Sequence, residues 1–213
     1  MKRDFLKTIL LTIIVLTFPS AGFGAVVYDN TAPANDLNQY YGSTFEFGDQ
    51  VNLAGSERTV TDFSFYARLN ASTLASQSLV FRFYSNNGGT NGAPGTLLFT
   101  SDPQTMALGS QTFTVSGLSI TVPNSFTWTV TFSNLGVGDD AGLLLYNPPI
   151  TGSSLNDFWQ KDAGGAWALM QVNGGATPAN FGARITAVPE PGVFALCVLG
   201  AIICGAFRRN RRA

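Results

Sequence analysis

The chain has 213 residues, of which 45% are hydrophobic and only 12% charged, with a formal net charge of −1. That charged share is about half the usual globular value, so long helices with wet, charged faces are disfavoured. There is no histidine, and both cysteines, Cys197 and Cys204, lie near the C-terminal end. The body therefore has no disulfide framework, no thiolate metal site and no Ser-His or Cys-His nucleophile arrangement.

In chain order, the first segment reads MKRDFLKTILLTIIVLTFPSAGFGA. A basic start precedes an apolar run from Ile9 to Phe18, which Pro19 and Ser20 break before small residues follow. This is the pattern of a secretory signal peptide, predicted over residues 1–24 as a helix. Cleavage between Gly24 and Ala25 places Gly22 and Gly24 in the shallow pockets of signal peptidase. An uncleaved anchor is the alternative, and the apolar run is short for a span. The Sec export machinery and signal peptidase are the partners this segment implies.

The body, residues 25–187, alternates with period two. In SFTWTVTF, Phe126, Trp128, Val130 and Phe132 share one face and Ser125, Thr127, Thr129 and Thr131 the other. Asp62 to Leu69 repeats the pattern, with Phe63, Phe65, Ala67 and Leu69 inward. Leu79, Phe81 and Phe83 alternate around Arg82, and Phe181, Ala183, Ile185 and Ala187 close the body. Weaker strands are predicted at 26–28, 44–47, 96–100, 111–116, 141–146, 157–160 and 166–171. Gly-, Asn- and Pro-rich turns separate them, among them Asn86 to Gly89, Asn147 to Pro149 and Ala163 to Gly165. About ten short strands of this kind predict an all-β fold, a two-sheet antiparallel sandwich of jelly-roll-like form.

From Ala25 to Pro191 five basic residues (Arg58, Arg68, Arg82, Lys161 and Arg184) face twelve acids, a net of −7. An acidic body without a basic patch argues against nucleic-acid binding. Asp139 and Asp140 follow a Gly-Val-Gly turn, and with Asp29, Asp36 and Asp49 they are weak candidates for a calcium site. No calcium-loop spacing is present, and solvated turn aspartates are the simpler reading. Tyr40, Tyr41, Trp159 and Trp167 are candidates for a sugar-stacking platform, with Asn156 and Asp157 beside Trp159 as polar partners. The opposing reading puts Trp159 and Trp167 in the core. Glu46, Glu57 and the aspartates contain no pair that the sequence selects as a glycosidase dyad. No other cofactor is implied.

The chain ends VPEPGVFALCVLGAIICGAFRRNRRA. Residues 192–207 carry no charge and span about 24 Å as a helix, slightly short of a bilayer core. Arg208, Arg209, Arg211 and Arg212 follow at once and hold the tail on the cytoplasmic side. Prolines on both sides of Glu190 keep the segment before the span extended. A plain stop-transfer anchor is the simplest account. Val188-Pro189-Glu190-Pro191, the apolar span and the terminal arginine cluster together resemble the PEP-CTERM sorting signal, over residues 188–213. The parts are the motif 188–191, a transmembrane helix 192–207 and a basic tail 208–213.

The resemblance implies recognition and cleavage near the motif by exosortase, a membrane-embedded cysteine protease, in a Gram-negative bacterium that makes exopolysaccharide. It implies an inner-membrane precursor with one span, and then a place at the cell surface or in the extracellular matrix. The body also resembles a β-sandwich type of other PEP-CTERM and secreted bacterial proteins. The stretches that carry this are Val27 to Asn30, Phe47 to Val51, FRFYSNNGG, APGTLLF and Asn156 to Trp159. No activity comes with that likeness. The function expected is an exported, non-enzymatic surface or matrix protein associated with exopolysaccharide. A carbohydrate-binding module is the alternative, and a polysaccharide hydrolase the more distant one.

Overall fold

The computed structural model describes residues 24–74 and 76–190. The predicted signal helix, transmembrane helix and basic tail, with Pro191, lie outside the described residues. The described part is all-β, 56% strand, without an α-helix, and no helix in it is long and apolar enough to cross a membrane.

The strands are β1 (Ala25–Asp29), β2 (Asp36–Gly42), β3 (Phe47–Asn52), β4 (Thr59–Asn70), β5 (Ser78–Ser85), β6 (Leu97–Thr100) and β7 (Gln104–Thr105), then β8 (Gly109–Thr121), β9 (Ser125–Ser133), β10 (Asp140–Tyr146), β11 (Ser153–Ser154), β12 (Phe158–Lys161), β13 (Trp167–Met170) and β14 (Ala183–Val188). They form two antiparallel sheets packed as a sandwich. The first is organised by β4. One edge of β4 pairs with β8 from Thr59 to Leu69. Its other edge pairs with β14 as far as Phe65 and then with β10 from Ala67, so those two strands lie end to end. Strands β1 and β2 flank them. The second sheet runs β13-β12-β3-β9-β5-β6, with β11 beside β3 and β7 beside β5.

The predicted alternation explains the core. Phe63 and Phe65 of β4 point inward and meet Phe81, Phe83 and Trp128 of the opposite sheet. The ring centroid of Phe63 lies 5.1 Å from Phe81, 5.1 Å from Phe83 and 5.2 Å from Trp128. Phe181, just before β14, extends the cluster towards Phe47 and Phe158 at 5.6 and 5.7 Å. All these rings are buried.

Four predicted strands, at 62–69, 79–83, 125–132 and 181–187, fall on real ones with the predicted faces inward. Others needed correction. The strand expected at 44–47 starts at Phe47 and runs to Asn52, because Phe47, Asp49 and Val51 are its inward set. β2 has no apolar alternation and was not expected; it is held by pairing with β10, with Asn38 at φ 51°. The two-residue strands β7 and β11 are too short to carry any periodicity.

Replacing Phe63 by Ala is expected to cost about 3–5 kcal/mol, the usual penalty for a large aromatic lost from a core. Thr114→Ala, on the exposed face of the neighbouring β8, should stay within about 0.5 kcal/mol. Urea denaturation of both variants, with the slope unchanged, checks the pair.

Candidate functional site

The outer face of the first sheet carries a groove of about 290 Å³. Strand parity decides its lining. In β4 the residues between the core phenylalanines, Tyr66 and Arg68, face outward. Arg68 stands opposite Ser110 of β8 and Gly142 of β10, and Tyr66 opposite Thr112. Tyr40 of β2 faces Leu144 of β10. Tyr146 stacks on Tyr66 with centroids 5.3 Å apart and planes 20° from parallel.

Two glycines let these rings lie flat on the sheet. A Cβ on Gly182 would stand 2.6 Å from the Tyr146 ring and 2.9 Å from the Tyr66 ring. One on Gly142 would stand 2.8 Å from the Tyr40 ring. Neither position accepts a side chain without moving a ring.

Acids and one arginine frame the rings. The Tyr40 hydroxyl donates to Asp140 Oδ2, and that bond, ahead of partial burial, raises the phenol above its ordinary value. The Tyr146 hydroxyl donates to Asp36 Oδ2 at 3.4 Å, and burial followed by the nearby Asp36 charge pushes it up to about 12. Both phenols therefore stay protonated at neutral pH. The Arg68 guanidinium lies 5.3 Å from the centre of the Tyr40 ring. It has no hydrogen bond or ion pair among the described residues, so its donors are open to the groove.

The outer face of the second sheet is built differently. Glu46 is 9% exposed and fully engaged. Its Oε1 accepts from Thr129 Oγ1 at 2.7 Å and from Tyr84 Oη at 2.9 Å, and Oε2 accepts from Lys161 Nζ at 2.7 Å. Arg82 Nη1 stands 3.5 Å from Oε1. Burial alone would raise the carboxyl, but the bonds from Lys161 and Thr129 and the Arg82 charge outweigh it and hold it below the ordinary value. Lys161 also lies over Trp167, 4.8 Å from the ring centre, and Tyr84 meets the same ring edge-on at 5.5 Å. This face is a closed brace of satisfied groups.

The predicted aromatic platform is thus divided. Tyr40 lies in the groove. Tyr41, the next residue, packs inward on Phe47 and Phe158 and donates to Gln160. Trp159 is 4% exposed, with its indole N–H on Gln50 Oε1 at 3.2 Å, and offers a ligand little of its ring. Trp167 is covered by Lys161 and Tyr84. Asn156 is exposed and Asp157 half-buried, at the far side of Trp159 from the groove's sheet. Tyr66, Tyr146, Arg68 and Asp36 were missed as groove residues. The signal for Tyr66 and Arg68 was present, since both occupy outward positions of a strand whose alternation was read correctly.

The predicted calcium candidates do not converge. Asp139 Oδ2 accepts from Gln77 Nε2 and Gly136 N, a turn-closing arrangement, while Asp140 serves Tyr40. Asp29 binds Thr31 and faces Arg184, and Asp49 lies in the interior. Among the described residues no three acidic, histidine or cysteine side chains come together as a metal cluster. At the ends, Gly24, Pro189 and Glu190 are exposed, and Val188 is the last residue of β14.

No family model, curated protein or solved structure matches the chain. The reading of its function rests on its own residues.

Glu46 generates an acid-sensitive contribution to stability. Its folded pKa lies below the ordinary 4.5, so the contribution is complete above about pH 4.5 and is lost as pH falls through the folded value. Glu46→Gln should cost about 1–3 kcal/mol at pH 7, the worth of hydrogen bonds to a charged group. The gap from the parent protein should shrink towards pH 3. Urea melts of both proteins across this range measure it.

Proposed function

We propose that this chain is an exported, exosortase-sorted surface or matrix protein, whose jelly-roll-like sandwich holds a polysaccharide strand in the groove of its first sheet. The observation that carries the binding half is the groove itself. Tyr40, Tyr66 and Tyr146 lie flat on an open sheet face beside an unpaired Arg68, with Asp36, Ser110 and Thr112 around them. Phenol rings offer apolar faces to the C–H side of a sugar, and the hydroxyls, carboxylates and guanidinium match its hydroxyl rim.

The sorting half rests on the two terminal patterns and on where the strands begin and stop. Ala25, the first residue after the predicted cleavage, pairs with Ala187, one residue before the motif begins. Exposed Gly24, Pro189 and Glu190 flank that pair. Cleavage at either end would remove no core side chain of the described sandwich. On this reading the precursor passes through the Sec machinery and signal peptidase, rests in the inner membrane as a single-span protein, and meets exosortase there. No acid pair in the groove is singled out for hydrolysis, and the body is read as non-catalytic.

Two measurements test the halves separately. Intact mass spectrometry of the cell-associated and secreted protein should give a form that starts at Ala25 and ends near Pro189 to Pro191. A mature mass that includes Ala213 would show a plain anchored ectodomain and end the exosortase reading. On a glycan array, Tyr40→Ala and Arg68→Ala should each weaken binding at least about tenfold, the effect of losing roughly 1.4 kcal/mol of contact. Trp159→Phe should bind as the parent does, and the thermal midpoints of the groove variants should be unchanged. Absence of binding to every glycan would sink the groove reading, and release of reducing ends would replace it with a hydrolase.

A further inference from the structure

Asp49 sits on the inward face of β3 with none of its surface exposed. Ser154 Oγ donates to its Oδ1 at 2.7 Å and Phe181 N to its Oδ2 at 3.3 Å. Both donors are neutral, and the one charged group acting on it is a second carboxylate, Asp157. Burial pushes the Asp49 carboxyl well above its usual range. An interior carboxylate with no cation is costly, and proteins normally supply a partner for it.

Two further oxygens share this corner without partners. The Tyr28 hydroxyl and Asn30 Oδ1 are fully buried and have no hydrogen bond among the described residues. The Asn30 amide cannot be turned over to relieve this. Its Nδ2 donates to Tyr146 O at 2.8 Å and reaches Phe181 O at 3.5 Å, so a flip would set oxygen against oxygen. The Tyr28 hydroxyl lies beside the side chains of Ser154 and Asn30 and feels the Asp49 charge. Each orphaned polar atom in an interior costs about 1–3 kcal/mol, and native proteins keep few of them.

The donor set is all oxygen: a carboxylate, an amide carbonyl and two hydroxyls. Hard oxygen ligands of mixed type suit calcium, which accepts irregular geometry, better than magnesium or a transition metal. Asp49 and Asp157 together offer the charge that a divalent ion neutralises. We propose that Asp49, Asn30, Ser154 and Tyr28 form a calcium site inside the sandwich, tying β1 and the residue after it to β3 and β11. The site lies apart from the Asp139–Asp140 turn and does not depend on what the groove binds.

The test uses the full chain in detergent, stripped with a chelator and titrated with calcium, magnesium and terbium ions. Calcium should raise the thermal midpoint saturably by several degrees, magnesium should not, and excitation of the aromatic residues should light bound terbium. Asp49→Asn should abolish both effects. Tyr28→Phe removes only the orphan hydroxyl and keeps the ring. It should fold and should weaken terbium binding about tenfold, the lower end of what disturbing a metal site usually costs. If Asp49→Asn does not fold, Tyr28→Phe decides. The proposal is overturned if calcium leaves the parent midpoint unchanged, or if the calcium effect survives in Tyr28→Phe at full affinity. In that case the corner holds a protonated Asp49 with water or nothing beside it.

Discussion

Phe63 and Phe65 reach from β4 into a set of rings on the opposite sheet, and most of the molecule follows from that contact. The three partners, Phe81, Phe83 and Trp128, come from the two central strands of the second sheet, so the crossing pins the middle of each sheet to the other. A strand has only two faces. Once one is committed to this core, the residues between must face water, and a one-residue slip would expose every ring. The register of β4 is therefore fixed on both of its edges. That is why β14 and β10 can share one edge and meet end to end, with the Gly182 amide bonding Leu144 at the junction. The flat tyrosine face forms over that junction, where glycines replace side chains.

The same parity sets two acids in opposite electrostatic states within four residues. Glu46 faces outward and collects Lys161, Arg82, Thr129 and Tyr84, so its charge is favoured although little of it is exposed. Asp49, three positions on, faces inward and finds only neutral donors and another acid, so its charge is disfavoured. As pH falls, Glu46 loses stabilising bonds on protonation. Asp49 shifts the other way: a raised folded pKa favours the protonated form, and its cost to folding grows as pH rises through the usual carboxylate range. The two groups partly cancel in the whole protein, and only substitution at one of them isolates its share.

The strands legible in the sequence were those whose inward set is large and apolar. SFTWTVTF and the stretch around Phe63 declare their faces because aromatic residues alternate with Ser, Thr and Arg. β2 did not, because Asp36 to Gly42 carries no such alternation and is placed by its partner β10. The strand at Phe47 was misplaced because its inward set includes Asp49, a charged residue where a pattern search expects an apolar one. Interior polar residues of this kind are invisible to periodicity, and the orphaned Tyr28 hydroxyl and Asn30 carbonyl are equally so.

The candidate site was partly legible for a related reason. Tyr40 and Tyr41 look like one aromatic patch in the sequence, yet adjacent strand residues point to opposite faces. One lines the groove and the other fills the core. Trp159 and Trp167 were attractive because tryptophan is often a sugar platform, but each is absorbed by the brace around Glu46, one by Gln50 and the other by Lys161 and Tyr84. A surface poor in Lys and Glu has few long side chains to screen an exposed ring. Aromatic residues on such a face are either clamped by the few cations present, as on the second sheet, or left open beside one, as Tyr40 is beside Arg68. The difference between the two sheets is whether the cation has a carboxylate of its own. Lys161 and Arg82 have Glu46, whereas Arg68 has only the ring. That makes the first sheet the face with unspent binding capacity.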